Sequence, residues 1–250
     1  VSWRAAFAIA AAAALITFSA IRITVPKVPA LPDSGFAAQF RFLRSLEPWL
    51  VLGAIGLGNG GFFAYYSYVN PVMEHVAAVP ASMMSVVITL AGAGMVLGNL
   101  FCAKISSSFS DESLAAAGQG VLLLSLASVF FLAHWSPAAI ALTTLAAGCV
   151  FFISGPEQVL MIRNAKEGQL LAASLAQVSF NAGNAVGAWL GGLPIDAGKA
   201  ANWAAMPGFF LALAGFGLLF VNWLIHRVRE EERTAGRIAA LQDQIQSKMP

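Results

Sequence analysis

Charged residues cut this chain into long uncharged stretches, and the lengths of those stretches predict its architecture. They run over 5–21, 48–73, 76–103, 113–156, 168–195 and 200–225. A helix crossing the hydrocarbon core of a bilayer needs about 20 apolar residues. The 113–156 stretch suffices for two such helices and carries its own turn, His134-Trp135-Ser136-Pro137. The pattern therefore predicts seven transmembrane helices, at 3–25, 49–72, 81–103, 114–133, 138–162, 170–194 and 205–226. Strands are excluded, because the stretches do not alternate in polarity and are about twice as long as a membrane barrel strand.

Composition agrees with the pattern. Of 250 residues 58% are hydrophobic and 10% charged, and the mean hydropathy is +0.75, which places the chain among all-α integral membrane proteins. Trp3, Trp49, Trp135, Trp203 and Trp223 fall near predicted helix ends, where amphipathic rings settle at headgroup level. Trp189 alone lies well inside a predicted span.

Charge adds an orientation. Arg22, Lys27, Arg41, Arg44, Lys104, Arg163, Lys166, Arg227, Arg229, Arg233, Arg237 and Lys248 gather on one side of the predicted membrane, and Arg4 and Lys199 on the other. Basic residues mark the cytoplasmic side. The C-terminus is then cytoplasmic, and with seven spans Val1 begins outside.

The chain opens "VSWRAAF", without a methionine. A signal peptide is the competing reading of this end, with Arg4 as its basic region and Ala5–Ala20 as its apolar region. The apolar run continues instead to Arg22 and Val25 without a small-x-small cleavage site, as expected of a span within a longer protein. Residues 1–25 then form one transmembrane helix and 26–48 a Pro-rich, basic cytoplasmic linker. Residues 49–226 form a six-helix bundle, and 227–250 a charged cytoplasmic tail. Val228, Ile238, Leu241 and Ile245 give that tail only a thin apolar seam, as befits a solvated helix more than a coiled coil.

The sequence offers little enzymatic chemistry. Cys102 and Cys149 lie in apolar spans and suggest neither a disulfide framework nor a metal site. His75, His134 and His226 are scattered at span ends, and no HExxH, GxSxG, Walker A or dinucleotide-binding pattern occurs. We therefore expect no enzyme, no metal, no cofactor and no nucleic-acid partner.

Polar residues inside two spans are the informative exception. On "SLAQVSFNAGNAVGAWLGGLPID", residues 174–196, Gln177, Asn181 and Asn184 share one helical face, while Gly183, Gly187 and Gly191 form a second stripe roughly 100° away. In "GLGNGGFFAYYSYVNP", Asn59, Phe63, Tyr66 and Asn70 line one stripe, and Gly56 and Gly60 are spaced for close packing. Gly94 and Gly98 repeat that spacing in the third span. Small residues four apart let helices approach closely in lipid, where hydrophobicity supplies no drive for association. Amides in hydrocarbon need a polar surrounding, either as interhelical glue or as the lining of a cavity for a small polar or amphipathic molecule. Glu157 lies about five residues, or ~8 Å, from the cytoplasmic end of its span. Its carboxylate is a candidate proton or gate site, and pairing with Arg163 or Lys166 is the plainer expectation.

Several segments, taken in order, resemble the major facilitator superfamily of transporters, within it the drug:proton antiporter branch close to the arabinose efflux permeases. They are "FAYYSYVNPVM" at 63–73, "GAGMVLGN" at 92–99, "RNAKEGQLL" at 163–171 and "FNAGNAVGAWLGG" at 180–192, with "SWRAAF" similar to the start of that family's sixth helix. The resemblance implies a six-helix C-terminal transporter bundle plus one preceding helix, in a bacterial inner membrane. The function it implies is a secondary active transporter that exports a sugar-like or drug-like solute in exchange for protons by alternating access. The partners would be the solute, protons, the lipid bilayer and the missing N-terminal helices. A non-transporting seven-helix receptor or scaffold is the alternative. Two departures stand out: "CAKISSSFSDES" keeps Gly98, Asn99 and Lys104 of the family's cytoplasmic turn but lacks its Asp-Arg pair, and Glu157 is acidic where an apolar residue is expected.

Overall fold

The structure of the chain, a computed structural model, describes residues 3–26, 36–165 and 168–246. Part of the expected linker, residues 27–35, lies outside them, as do Val1, Lys166 and Lys248. Seven long helices account for most of the described chain: α1 Trp3–Thr24, α2 Leu46–Tyr66, α3 Met84–Ile105, α4 Asp111–Leu132, α5 Ser136–Arg163, α6 Gln169–Asp196 and α7 Ala205–Gln246. No strand occurs among the described residues. Five of the helices are long and apolar enough to cross a membrane; α2 and α6 are not counted among them. These two carry Asn59, Phe63 and Tyr66 of one polar stripe and Gln177, Asn181 and Asn184 of the other.

The chain divides into two units, Val1–Ser34 and Gly35–Pro250. The first consists of α1, whose hydroxyls on Thr17, Ser19 and Thr24 donate to carbonyls four residues back. Such bonds satisfy a hydroxyl within its own helix, a requirement where no water is at hand.

The second unit holds α2 to α7. Its main helix pairs are α2 with α6 and α7, α3 with α5, α4 with α5, and α4 with α7. Glycine sets the closest of these approaches. A Cβ on Gly183, Gly187 or Gly191 of α6 would fall on the carbonyl oxygen of Gly56, Gly60 or Ala64 of α2 respectively. On the other side of the unit a Cβ at Gly98 of α3 would meet the carbonyl of Gly148 of α5, and one at Gly94 the carbonyl of Thr144. The backbones touch directly, so dispersion is gained where apolar burial gains nothing against lipid. Hydrogen bonds pin the seams: Ser179 Oγ donates to the Leu52 carbonyl at 2.7 Å, and the Tyr68 hydroxyl to that of Ala188 at 3.0 Å.

Three expectations need correction. The second span, expected as one helix over 49–72, ends at Tyr66; Ser67 and Tyr68 turn, and a single turn at Val69–Pro71 leads into a wider one at Val72–Val76. Asn70 therefore sits beyond the helix that carries Asn59, Phe63 and Tyr66, and it is exposed. The last span, expected over 205–226, does not stop there either: α7 runs unbroken for 42 residues from the apolar span into the charged segment. Residues after Ile225 are Arg-, Glu- and Ala-rich, good helix formers that let the backbone pattern propagate.

The third correction concerns charge. Arg163 does not turn to Glu157; it pairs with Glu112 and lies 3.8 Å from Asp111, both in the first turn of α4. Six positions along a helix rotate a side chain by 600°, so Arg163 and Glu157 project from faces about 120° apart. His226 of α7 joins this group at 3.5 Å from Glu112, and Arg229 pairs with Glu47 at the start of α2. Ser110 caps α4, its hydroxyl accepting from the Ser113 amide, and the two acidic residues complement the helix dipole.

Candidate functional site

Within the second unit, α2, α5 and α6 line a partly open cavity of about 290 Å³. α2 presents Asn59, which is 1% exposed. Its amide nitrogen donates to the Ile55 carbonyl at 2.8 Å, which leaves the side-chain oxygen buried without a partner among the described residues. α5 presents Ser154, Glu157 and Gln158. Glu157 is 2% exposed, and its Oε1 likewise has no hydrogen-bond partner among the described residues. α6 presents Gln177 and Phe180, and Phe151 of α5 adds a second ring.

Local sequence explains why these groups meet. Asn59 follows Gly58 and precedes Gly60 and Gly61, so α2 is thin where it faces its neighbours. Pro156 lies inside α5 and has no amide hydrogen, so the Phe152 carbonyl loses its regular helical donor one residue before Glu157. Phe180 connects the cavity to an aromatic group on α2: its ring centroid lies 6.2 Å from that of Phe63, which is 6.2 Å from Tyr66, which stacks on Phe62 at 4.7 Å.

The structure thus brings together three of the residues singled out in the sequence, Asn59, Gln177 and Glu157, with Phe63 one ring beyond Phe180 and Tyr66 two. Asn181 and Asn184 share the helix with Gln177 but do not line this cavity. Asn181 is exposed and its amide donates to the Gln177 carbonyl at 2.9 Å, whereas Asn184 is half-buried and its oxygen has no partner among the described residues. Asn70 stands apart. Phe151, Ser154, Gln158 and Phe180 escaped the sequence reading; the i, i+4 spacing of Ser154 and Gln158 around a buried acid was the available signal.

A second buried amide was also missed. Gln119 of α4 is fully buried against Gly58 and Gly215, and its nitrogen donates to the Ala212 carbonyl of α7 at 3.2 Å. It ties α4 to α7 away from the cavity. Tyr65, one residue before the predicted Tyr66, makes a 2.6 Å bond with the Thr143 hydroxyl of α5 and is buried. These two are bundle glue.

Long apolar helices, glycine seams and a cavity lined by a buried acid and a buried amide define a multi-pass all-α membrane protein. No family model matches the chain. It is 34% identical over 220 residues to the putative transporter AraJ of Escherichia coli (strain K12), a match covering 88% of this chain and 56% of that protein. The inner membrane transport protein YdhP of the same organism is 28% identical over 225 residues, 88% of this chain and 56% of its own. The uncharacterized MFS-type transporter YfhI of Bacillus subtilis (strain 168) is 25% identical over 218 residues, 87% and 54% respectively. The chain spans about half the length of the curated relatives it matches. Its resemblance to the major facilitator superfamily, read from four short segments, is borne out: the chain resembles half of an MFS transporter similar to AraJ. Its relatives are transporters and not enzymes.

Proposed function

We propose that the chain is the C-terminal half of a secondary transporter of the bacterial inner membrane. This transporter exports a small sugar-like or drug-like solute in exchange for protons by alternating access. The observation that carries the reading is the cavity among α2, α5 and α6, whose lining holds the buried Glu157 carboxylate and Asn59 amide together with Gln158 and the exposed Gln177. The similarity to transporters that are about twice as long supports it. In such carriers two helical bundles rock about a site between them, so a single bundle supplies half of the contacts. The exposed Gln177 and Asn181 on α6, with Asn184 beside them, would face the other half, and Glu157 would carry the proton or gate the cavity.

The receptor or scaffold reading needs the amides as glue. The α2–α6 seam is instead closed by glycine against backbone, with Ser179 and Tyr68 supplying its hydrogen bonds. Among the described residues Asn59 bonds only to its own helix, at the Ile55 carbonyl.

The test is flux in liposomes. The 250-residue chain alone should carry no solute, and proton-coupled flux should appear when a segment with five preceding helices is co-expressed. Flux by the chain alone would point to a self-sufficient homo-oligomer. No flux from the assembled pair across a substrate screen would favour the scaffold. The cytoplasmic C-terminus has its own check: reporters fused after Arg44, Arg163 and Lys248 should read cytoplasmic, and those near Val79 and Lys199 external.

A further inference from the structure

Two helices of the second unit lean on a third without meeting each other. α3 and α4 both pack along α5, and no comparable contact joins α3 to α4. The space between them is a groove of about 1370 Å³, with Thr144, Gly148 and Phe152 of α5 as its floor. It runs from Pro80 and Pro137 at one end to Ile105 and Phe109 at the other. That is the length of α3, 22 residues, or about 33 Å at the helical rise. The hydrocarbon core of a bilayer is about 30 Å thick.

The lining restricts what can fill this groove. Its hydroxyls are already engaged: Ser136 donates to the Ala77 carbonyl, Thr144 to that of Ile140, and Ser113 bonds to Ser110. A water molecule needs two to four polar partners to stay, and a polar solute needs as many. Leu90, Leu97, Phe101, Val121 and Leu145 are exposed in the groove. A methylene chain laid there gains dispersion contacts from three helices at once.

The two ends differ in charge. Lys104 is the one lysine or arginine between Arg44 and Arg163, so the Ile105 end has a cation and the Pro80 end has none. Seven positions rotate a helical side chain by 700°, which sets Lys104 within about 20° of the groove residue Leu97. Lys104 is exposed, and none of the ion pairs among the described residues includes it. Asp111 and Glu112, which open α4, are held by Arg163 and His226. Arg227 pairs with Glu231 over Trp223, and Arg229 with Glu47. Ser107 and Ser108 lie exposed in the turn after α3, and their hydroxyls have no partner among the described residues. One end of an apolar groove thus offers a cation without a counter-ion and two unused donors.

We propose that this groove binds an anionic phospholipid. One acyl chain lies between α3 and α4 on the floor of α5, and the phosphate sits against Lys104 and the hydroxyls of Ser107 and Ser108. The lipid comes from the leaflet on the Lys104 side, which is the cytoplasmic one in the orientation proposed above. A lysine near the membrane surface gives about a fivefold preference for an anionic over a zwitterionic headgroup.

The experiment uses the 250-residue chain in phosphatidylcholine nanodiscs doped with a lipid that carries a photoreactive diazirine on its acyl chain. The probe is either phosphatidylglycerol or phosphatidylcholine with identical chains, and labelled residues are mapped by mass spectrometry. Phosphatidylglycerol should label the segments around Leu97–Phe101 and Ala117–Val121 about fivefold more than phosphatidylcholine does, while both label α1 equally. Lys104→Gln, a surface change, should reduce groove labelling by phosphatidylglycerol to the phosphatidylcholine level and leave the latter unchanged. Salt at 1 M, where the screening length is ~3 Å, should do the same to the unaltered chain. Ala117→Trp, which fills the groove from its α4 wall, should lower labelling by both probes. Equal labelling of the groove by the two probes would mean ordinary boundary lipid and would overturn the proposal. A preference that survives both Lys104→Gln and high salt would overturn it as well, as would a groove that neither probe labels while α1 is labelled, the mark of a second copy of the chain seated there. None of these readouts involves flux, so the transporter reading stands or falls separately.

Discussion

The two sides of the second unit use the same packing device around opposite interiors. Where α2 meets α6, glycines rest on carbonyls beside a cavity with a buried acid and a buried amide. Where α3 meets α5, glycines again rest on carbonyls, but the adjoining groove, about 1370 Å³, is lined mainly by apolar side chains such as Leu90, Leu97, Phe101, Val121, Leu145 and Phe152. The difference teaches that glycine seams and polar lining are separate properties. Close approach sets where helices cross, and the residues one face away decide whether the adjoining space suits a polar molecule or lipid chains.

The largest expected effect tests the shared device. Gly187→Leu and Gly98→Leu should each cost on the order of 3 kcal/mol or more, because the added side chain meets backbone that has no rotamer to yield. Monodisperse yield in detergent should collapse for both. A loss confined to one of them would show that the other face meets lipid.

A smaller effect separates the interiors. In the assembled transporter, Asn59→Ala and Phe180→Ala should lower flux about tenfold, or ~1.4 kcal/mol in binding, with near-normal membrane abundance. Leu97→Ala and Leu145→Ala in the groove should leave flux within about twofold. Equal losses of flux and abundance at all four positions would erase the contrast between cavity and groove.

The smallest lies in the turn joining the two regions. Ala78 has φ +53°, a left-handed conformation that disfavours a side chain, and the neighbouring Ala77 carbonyl accepts from Ser136 at 2.6 Å. Ala78→Gly should stabilise the unit by about 0.5–1 kcal/mol, seen as a small rise in thermal midpoint. A fall would mean that the turn is not held in that conformation.

Much of the helical layout was legible because a charge-free run is a direct record of what hydrocarbon tolerates. The glycine stripe of 183, 187 and 191 was legible for the same reason, since periodicity in one helix requires no knowledge of its neighbour. The break at Ser67 was overlooked although Pro71 signals it: proline has no amide hydrogen for the Ser67 carbonyl four residues back, and Tyr68 is held from outside by the Ala188 carbonyl. The company Glu157 keeps was not legible. Charge pairing along one helix suggested Arg163, yet rotation about the axis sends that guanidinium toward α4 and leaves the acid among residues from two other helices. Asn59 and Gln177 lie 118 positions apart, and only the crossing of α2 and α6 makes them neighbours.

Pro156 has a mechanical consequence. A helix is stiff because every rung of its ladder is tied, and α5 is missing one rung at the level of the cavity. Bending would be easiest at that point, where the part of the helix beyond it runs from Glu157 to Arg163, roughly 10 Å long at 1.5 Å per residue. A bend of about 20° there would sweep the far end of that part by roughly 3–4 Å. That end is clamped to α4 through Arg163, so the clasp and the acid ride on one arm, and a force applied at the membrane surface reaches the cavity as torque about a single proline.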